Sequence, residues 1–266
     1  MPPDLYFVLT LIVKMAVTAG FVVAATVTAE RAGPVVGGLV ATLPISAGPV
    51  YVFLAMDHDP HFIAQSAVAS LVVNAANGTL AVVYVWLAQK RSLAVSLAGA
   101  MLAWFVAVLA LRSVEWKLLS AAAMNLLVLT LCVLLTRELR HVRMPAFHAR
   151  WPDFALRAAM VAILVGAVVT FSFQLGPTWS GVLAVFPVVL PSIIIVMHPR
   201  HGGRASAAVL ANAPIGLVGF AFACMVLHVA AEPLGNPAGL ALALATSIGW
   251  SLLMMVLHRP PAPELT

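Results

Sequence analysis

Nine apolar stretches, each of about 20 residues, run through this chain and limit how it can fold. A helix of that length crosses a hydrocarbon layer of ~30 Å, whereas a water-soluble core has no room for so much apolar surface. Composition agrees, because 63% of the 266 residues are hydrophobic and only 9% are charged. The sequence therefore predicts an all-α, polytopic membrane protein with helices near 5–28, 33–55, 62–88, 92–111, 116–136, 154–175, 178–198, 205–230 and 238–257.

The pattern G-P-x-x-x-G-x-x-A-x-x-P occurs twice without gaps. It runs from Gly33 to Pro44 and again from Gly176 to Pro187, 143 residues later. Three further matches follow once small loop gaps are allowed: Lys14 with Arg157, Asn74–Gly78 with Asn212–Gly216, and Trp104 with Trp250. Duplicated units with interrupted apolar helices are typical of transporters that bind a solute between their halves.

The matches predict three parts. Residues 1–111 form a first four-helix repeat, residues 112–153 a connecting helix and loop, and residues 154–266 a second four-helix repeat. Because five helices precede the second repeat, it enters the membrane from the opposite side. We therefore expect two inverted-topology repeats, which allow one structure to open alternately to either side.

Each unit resembles the small four-helix bacterial inner-membrane proteins of the GlpM type. The resemblance lies in the Gly-x-x-x-x-x-Pro helix (Gly38 to Pro44, Gly181 to Pro187) and in the helix that carries Trp104 or Trp250. It covers about half of each unit and implies a fused, duplicated ancestor. It implies no substrate and no site residue.

The basic residues predict the orientation of the chain. Loops on the side of the C-terminus hold ten arginines and lysines, whereas the other side holds only Arg112 and Lys117. The positive-inside rule then places the C-terminus in the cytoplasm and the N-terminus outside a bacterial-type inner membrane. Since these residues are spread over short loops, the net charge of +5 indicates orientation and does not predict nucleic-acid binding.

Prolines and glycines interrupt the second and seventh apolar segments. Proline frees a backbone carbonyl one turn earlier, and exposed backbone inside a membrane is tolerated only where it faces protein or a water-lined cavity. Pro44 and Pro187 are therefore predicted to flank a central binding site. The alternative is kinked helices that pack closely through small residues.

Lys14 and Arg157 are predicted to attract an anionic solute. A count along the first helix places Lys14 near the middle of the bilayer, and alignment with the second repeat places it nearer the outer surface. Every acidic residue falls in a tail, a loop or a helix end, so Lys14 has no expected counter-charge and the ligand would supply the anion. The alternative for both cations is snorkelling to the membrane surface.

A polar stripe marks one face of the third segment. Ser66, Ser70, Asn74 and Asn77 are spaced by four, four and three residues, and Asn212 matches Asn74 in the second repeat. These side chains either line the solute path or join helices by hydrogen bonds. Asn125 has no counterpart and is predicted to join helices.

Neither a metal site nor a cofactor is predicted. Asp57, His58, Asp59 and His61 are metal-compatible, but they lie too close in sequence to converge on one ion, and no distant His/Cys set completes a site. No Ser-His-Asp order, Walker loop or dinucleotide fingerprint occurs, so catalysis has little support.

The leading interpretation is a secondary transporter of a small anionic organic solute that works by alternating access. Predicted substrate-binding residues are Lys14, Arg157, Asn74, Asn77, Asn212, Pro44 and Pro187. Membrane lipids are expected partners, sodium or protons are candidate coupling ions, and a homo-oligomeric state is left open. The alternatives are a non-transporting membrane protein, either an assembly partner or a small intramembrane enzyme with an outer His/Asp loop, and an anion channel.

Overall fold

The computed structural model describes residues 3–31, 46–139 and 150–257, and this part of the chain is all-α, as predicted. Nine α-helices and one short 3-10 turn, Arg137–Leu139, make up the described residues. The helices are α1 (Pro3–Arg31), α2 (Ala47–Asp57), α3 (Pro60–Leu87), α4 (Leu93–Arg112), α5 (Leu118–Thr136), α6 (Trp151–Ala184), α7 (Val189–Leu210), α8 (Ala213–Leu234) and α9 (Asn236–Leu257).

The arrangement of apolar surface is that of a membrane-embedded protein. Seven apolar helical stretches in the described residues are long enough to cross a bilayer. α3 is buried along nearly its whole length, whereas α1, α4, α5 and α9 leave most of their large apolar side chains exposed. α3 is therefore the central helix, and the other four form a perimeter that suits contact with lipid.

The longest apolar stretch, Trp151–Leu210, turns twice. Gly176 and Gly202 have φ values of 72° and 83°, in the left-handed region that a residue with a Cβ rarely adopts. Asp153, near the start of α6, forms an ion pair with Arg200, which lies just before the second turn. The segments on either side of Gly176 therefore form a hairpin, and the chain turns back again after Gly202. Nine crossings remain a prediction, because residues 32–45 lie outside the described part.

The second copy of the proline pattern is a broken helix. α6 ends at Ala184 and α7 begins at Val189, with Pro187 in the interruption. The N–H of Val185 bonds the carbonyl of Leu183 instead of continuing the α-helical pattern. The predicted interruption is confirmed for this copy, whereas Pro44 of the first copy lies outside the described residues.

Polar side chains of α3 hold this broken helix in place. Their donors reach backbone carbonyls at regular intervals, from Ser66 to Pro177 (3.0 Å), from Ser70 to Gly181 (2.7 Å) and from Asn77 to Val185 (3.1 Å). Because the residue numbers rise together, residues 177–185 run parallel to α3. The interruption thus lies beside the middle of α3.

A second long partner of α3 runs antiparallel to it. The contacts pair falling residue numbers of α3 with rising numbers of residues 203–234: Tyr84 with Ser206, Asn74 with Leu217, Ala64 with His228, and His61 with Glu232. Only Ala211 and Asn212 interrupt this partner, between α7 and α8. α3 therefore packs between residues 177–185, which run parallel to it, and residues 203–234, which run antiparallel to it.

Candidate central cavity

A cavity of about 350 Å³ lies at the interruption between α6 and α7. Its walls come from the interruption itself, from the middle of α3, from the start of α2 and from the α7–α8 junction. The described lining residues are Ser46, Ala47, Asn74, Asn77, 185–190, Ile193, Val209, Leu210, 212, 213, 216, 217 and Phe220. We call this space the central cavity. It is large enough for a small organic molecule.

Two helices begin at the wall of the central cavity. α2 starts at Ala47 and α7 starts at Val189. In neither helix does the side chain of the N-cap residue accept a hydrogen bond from a backbone N–H of the first turn. The first N–H groups of a helix have no partner within it, and the helix dipole adds partial positive charge there. In proteins, helix starts are a common binding place for anionic groups.

The polar side chains of the central cavity are those of Ser46 and of the three predicted asparagines. Both polar atoms of the Asn77 side chain have a partner, since its Nδ2 donates to the carbonyl of Val185 and its Oδ1 accepts the indole N–H of Trp104 at 2.7 Å. Nδ2 of Asn212 donates to the carbonyl of Ala208 at 3.1 Å. Asn74 differs, because its Nδ2 donates to Leu217 at 2.9 Å while its buried Oδ1 has no partner. A buried acceptor without a donor is uncommon in native structures, because leaving it unpaired costs free energy.

The structure brings together four of the seven predicted site residues. Asn74, Asn77, Asn212 and Pro187 all line the central cavity. Lys14 and Arg157 are not among its lining residues. Pro44 lies outside the described residues, although nearby Ser46 and Ala47 line the cavity.

The prediction that Lys14 has no counter-charge is wrong. Its Nζ lies 2.5 Å from Oδ2 of Asp57, and it also lies 5.6 Å from the ring centre of Phe53. The side chain of Lys14 is only 7% exposed, so the ion pair neutralises a charge that would otherwise be buried. Asp57 is the last residue of α2, which places Lys14 level with the α2–α3 turn and not in the middle of the helix bundle.

Arg157 also has a partner away from the cavity lining. It is half-buried on α6, and its Nε donates to Oγ of Ser192 on α7 at 3.4 Å. Lys14 and Arg157 therefore do not converge on one point of the central cavity. The partial positive charge at the central cavity comes from the starts of α2 and α7 and not from these two side chains.

The polar stripe of α3 joins helices, and two of its four residues also line the central cavity. Ser66 and Ser70 are fully buried and join α3 to the second copy of the proline pattern, Gly176–Pro187, which we call the second proline segment. Asn74 and Asn77 join helices too, but they also line the central cavity. As predicted, Asn125 joins helices, with its Nδ2 donating to the carbonyl of Leu71 at 2.6 Å.

The His/Asp turn separates its histidines. Nε2 of His58 bonds Oγ of Ser172 at 2.8 Å, and its ring stacks on Phe62. Nδ1 of His61 instead lies 2.7 Å from Oε1 of Glu232, near the surface. Within the described ranges, no group of three His, Cys, Asp or Glu side chains is placed to hold a metal ion.

Acid is expected to destabilise the contact of His58 with Ser172. Burial lowers the pKa of His58 from its ordinary value, against the opposing effect of Asp57 and Asp59 and in the same direction as Lys14. The unfolded chain then binds the proton more readily, so stability falls as the pH falls from about 6.5 toward the lower folded pKa. The melting temperature of wild type should therefore drop more on acidification than that of His58→Gln. Equal drops on acidification in wild type and His58→Gln would contradict this role of His58.

Sequence reasoning missed one side chain beside the central cavity. Trp104 matched Trp250 in the repeat but was not predicted as a site residue. Its buried indole bonds Asn77 and meets the ring of Phe186 edge-on, with ring centres 5.2 Å apart. The signal available in the sequence was a lone tryptophan on an otherwise aliphatic helix face.

Comparison with known families and proteins does not extend this description of the site. The chain matches no family model, no curated protein and no solved structure. The GlpM-type resemblance of each unit stays a prediction. The central cavity is therefore interpreted from its own residues.

Proposed function

We propose that this membrane protein is a secondary transporter of a small organic anion, which binds in the central cavity during alternating access. One observation carries the proposal: two uncapped helix starts and the unpartnered Oδ1 of Asn74 meet at one cavity beside a broken helix. Broken helices whose starts face an anionic solute near the middle of the membrane are a recurrent transporter device. The donors suit a carboxylate, and the Asn74 acceptor suits a hydroxyl or amino group on the same solute.

The spacing of the helices supports an internal duplication. α2, α3 and α4 begin at residues 47, 60 and 93. Corresponding segments begin at residues 189, 203 and 236, which is 142 or 143 residues later. The proline pattern recurs at the same spacing.

The directions of the corresponding segments support inversion. α3 begins at residue 60 and its counterpart at residue 203, and the two run antiparallel, with Asn74 bonding Leu217 near the middle of each. Residues 74 and 217 are themselves 143 apart. Symmetry about an axis in the membrane plane would place such a pair on the axis.

Two ion pairs also correspond. Lys14 on α1 pairs with Asp57 at the end of α2, and Asp153 on α6 pairs with Arg200 before the Gly202 turn. Positions 57 and 200 are 143 apart, so each pair ties a short helix to the first helix of its unit. In the first unit the basic residue lies on the long first helix, and in the second unit it lies on the short helix.

The tryptophan matches give related contacts. Trp104 donates to the side chain of Asn77, and Trp250 donates to the carbonyl of Ile215 at 3.1 Å. Asn77 and Ile215 both lie three residues after the asparagine that begins the matched run. At the common spacing of 143 residues, Asn74 corresponds to Leu217 and Trp104 to Ser247, so these two sequence matches depart from the spacing of the helices.

Membrane orientation belongs to the same proposal. Gly203 approaches Ala88 so closely that the loops after α3 and around Gly202 lie at one end of the bundle, and both carry arginines that were grouped on the cytoplasmic side. An outside N-terminus and a cytoplasmic C-terminus in a bacterial-type inner membrane follow from the positive-inside rule. Sodium or protons remain candidate coupling ions.

Replacing Asn74 by leucine is expected to abolish solute binding. Asn125→Leu is a matched control, because Asn125 also donates to a backbone carbonyl and has an unpartnered Oδ1 but does not line the central cavity. Both variants should lose a similar helix-joining bond of ~0.6 kcal/mol. Only Asn74→Leu should lose saturable uptake in proteoliposomes and ligand-induced thermal stabilisation.

A screen for thermal stabilisation by organic anions tests the proposed function directly. Purified protein would be assayed with and without sodium and at several pH values, and active anions would then be tested for uptake. Saturable uptake supports a transporter, and non-saturating flux indicates the channel alternative. Uptake by Asn74→Leu equal to that of Asn125→Leu would remove the central cavity from the solute path.

A further inference from the structure

A second and larger cavity, of about 700 Å³, lies above the central cavity at the face that carries the α4–α5 turn. Its residues come from α3, α4, the α4–α5 turn, the start of α5, the second proline segment and α8. They are Gln65, Val68, Ala69, Val72, Val73, Val108, Leu111, Arg112, 114–118, Thr178, Trp179, Val182 and His228. We call this space the vestibule.

The vestibule and the central cavity are adjacent layers of one path. Val73, Val108 and Val182 line the vestibule. One helical turn closer to the central cavity lie Asn77, Trp104 and Phe186. Asn77 and Phe186 follow their valines by four residues, and Trp104 precedes Val108 by four. Since the ring of Trp104 contacts both Asn77 and Phe186, which line the central cavity, this indole separates the two spaces.

The charged side chains that line the vestibule have a net positive charge. Arg112 and Lys117 line it together with a single carboxylate, Glu115. The ion pairs formed by the described residues lie elsewhere, at Lys14–Asp57, His61–Glu232 and Asp153–Arg200. Two cations with one acid in a partly enclosed space give a positive potential that attracts anions from water.

Aromatic groups occupy the same wall as the cations. The guanidinium of Arg112 lies over the ring of Trp179, with Cζ 4.6 Å from the ring centre, and this stacking fixes its plane while leaving its N–H groups at the edge. The indole of Trp116 also lines the vestibule, and its N–H is used by the carbonyl of Leu111. The remaining wall is aliphatic, from α3, α4 and the second proline segment.

We propose that the vestibule is a separate binding site for organic anions that join a carboxylate to an aromatic or apolar body. Arg112 binds the carboxylate, and Lys117 adds positive charge. The aromatic or apolar part of the ligand packs against Trp179 and the valines at 73, 108 and 182. This site goes beyond the proposed function because it binds its ligand above Trp104, before any solute reaches the central cavity. Its occupancy can be measured without transport.

Quenching of tryptophan fluorescence by 4-nitrobenzoate tests this site on the purified full chain in detergent. We expect saturable quenching by wild type, and an apparent Kd raised about tenfold in Arg112→Gln, because one charge-assisted hydrogen bond is lost. Arg91→Gln, at an exposed arginine on the opposite face, is the matched control and should keep the wild-type Kd. Uncharged 4-nitrobenzamide should give no saturable quenching. If Arg112→Gln does not fold, Lys117→Gln supplies the same comparison.

Three results would overturn the vestibule site. Equal Kd values for Arg112→Gln and Arg91→Gln would remove the role of the cation, and saturable binding of the amide would remove the role of charge. Loss of quenching in Asn74→Leu would place the probe in the central cavity. Saturable quenching that remains in Asn74→Leu and weakens in Arg112→Gln assigns the probe to the vestibule, which keeps failure of this site distinct from failure of transport.

Nanodiscs separate an aqueous solute from a lipid headgroup as the source of the anion. With an aqueous ligand, the Kd for 4-nitrobenzoate should be similar in discs of purely zwitterionic lipid and in discs containing phosphatidylglycerol, apart from general surface repulsion that Arg91→Gln shares. Loss of binding only in the anionic discs would assign the vestibule to headgroups and reject the proposal.

Discussion

Asp57→Asn is expected to destabilise the protein by about 3 kcal/mol, because it leaves the ammonium of Lys14 buried without a counter-charge. Lys14→Met should be milder, since the side chain of Asp57 is 25% exposed and can recover water, whereas that of Lys14 is 7% exposed. The order of the two effects follows from this difference in exposure. Reversible unfolding in mixed detergent micelles measures both.

A pair of side chains at a similar distance, but exposed to solvent, serves as the control. His61 and Glu232 are similarly close, but their side chains are 68% and 53% exposed, so Glu232→Gln should change stability by less than about 1 kcal/mol. The double variant Lys14→Met with Asp57→Leu should recover most of the loss of Asp57→Asn, because it removes both charges. Asp57→Asn as stable as Glu232→Gln would contradict a buried, energetically coupled pair.

The Lys14 pair also changes how anion binding is explained. Because Asp57 neutralises Lys14 and neither residue lines the central cavity, the anion contacts proposed there are the starts of α2 and α7. These backbone N–H groups do not depend on the side chain of Lys14. Retained uptake in the Lys14→Met and Asp57→Leu double variant is therefore the expected result for this site.

Local pattern was enough to predict the helical class and the break. Apolar length predicted membrane helices, and Pro187 predicted the interruption between α6 and α7. The asparagines of the central cavity were also found, because amides on an otherwise apolar helix must face protein or a cavity. Each of these follows from residues close together in the sequence.

Contacts between distant residues could not be predicted in the same way. Asp57 appeared as one acid at a helix end, and its pairing with Lys14, 43 residues earlier, depends on how α1 and α2 pack. The two helix starts at the central cavity likewise have no signature of their own, since uncapped positions such as Val188 look like ordinary apolar residues. Positive φ at Gly176, by contrast, agrees with the Gly-Pro pair seen in the sequence.

Gly181→Ala is expected to lower stability by about 3 kcal/mol, which is a core overpacking effect. An ideal Cβ at this position would overlap the backbone carbonyl oxygen of Ser66 and would lie 2.8 Å from Cβ of Ala69. Backbone cannot move aside as a flexible side chain can. Residues 177–184 would therefore separate from α3, and the hydrogen bonds donated by Ser66 and Ser70 would lengthen.

Gly249→Ala is the matched control for Gly181→Ala. Gly249 lies inside α9 with nothing within 4 Å of its ideal Cβ among the described residues, so alanine should stabilise the helix by roughly 0.5–1 kcal/mol. The two substitutions add the same methyl group and should shift the melting temperature in opposite directions. Because residues 177–184 lead directly into the interruption at Pro187, Gly181→Ala should also weaken anion binding in the central cavity, whereas Gly249→Ala should leave it unchanged. Equal stability of the two variants would show that α3 and the second proline segment are not in the close contact on which the position of the central cavity depends.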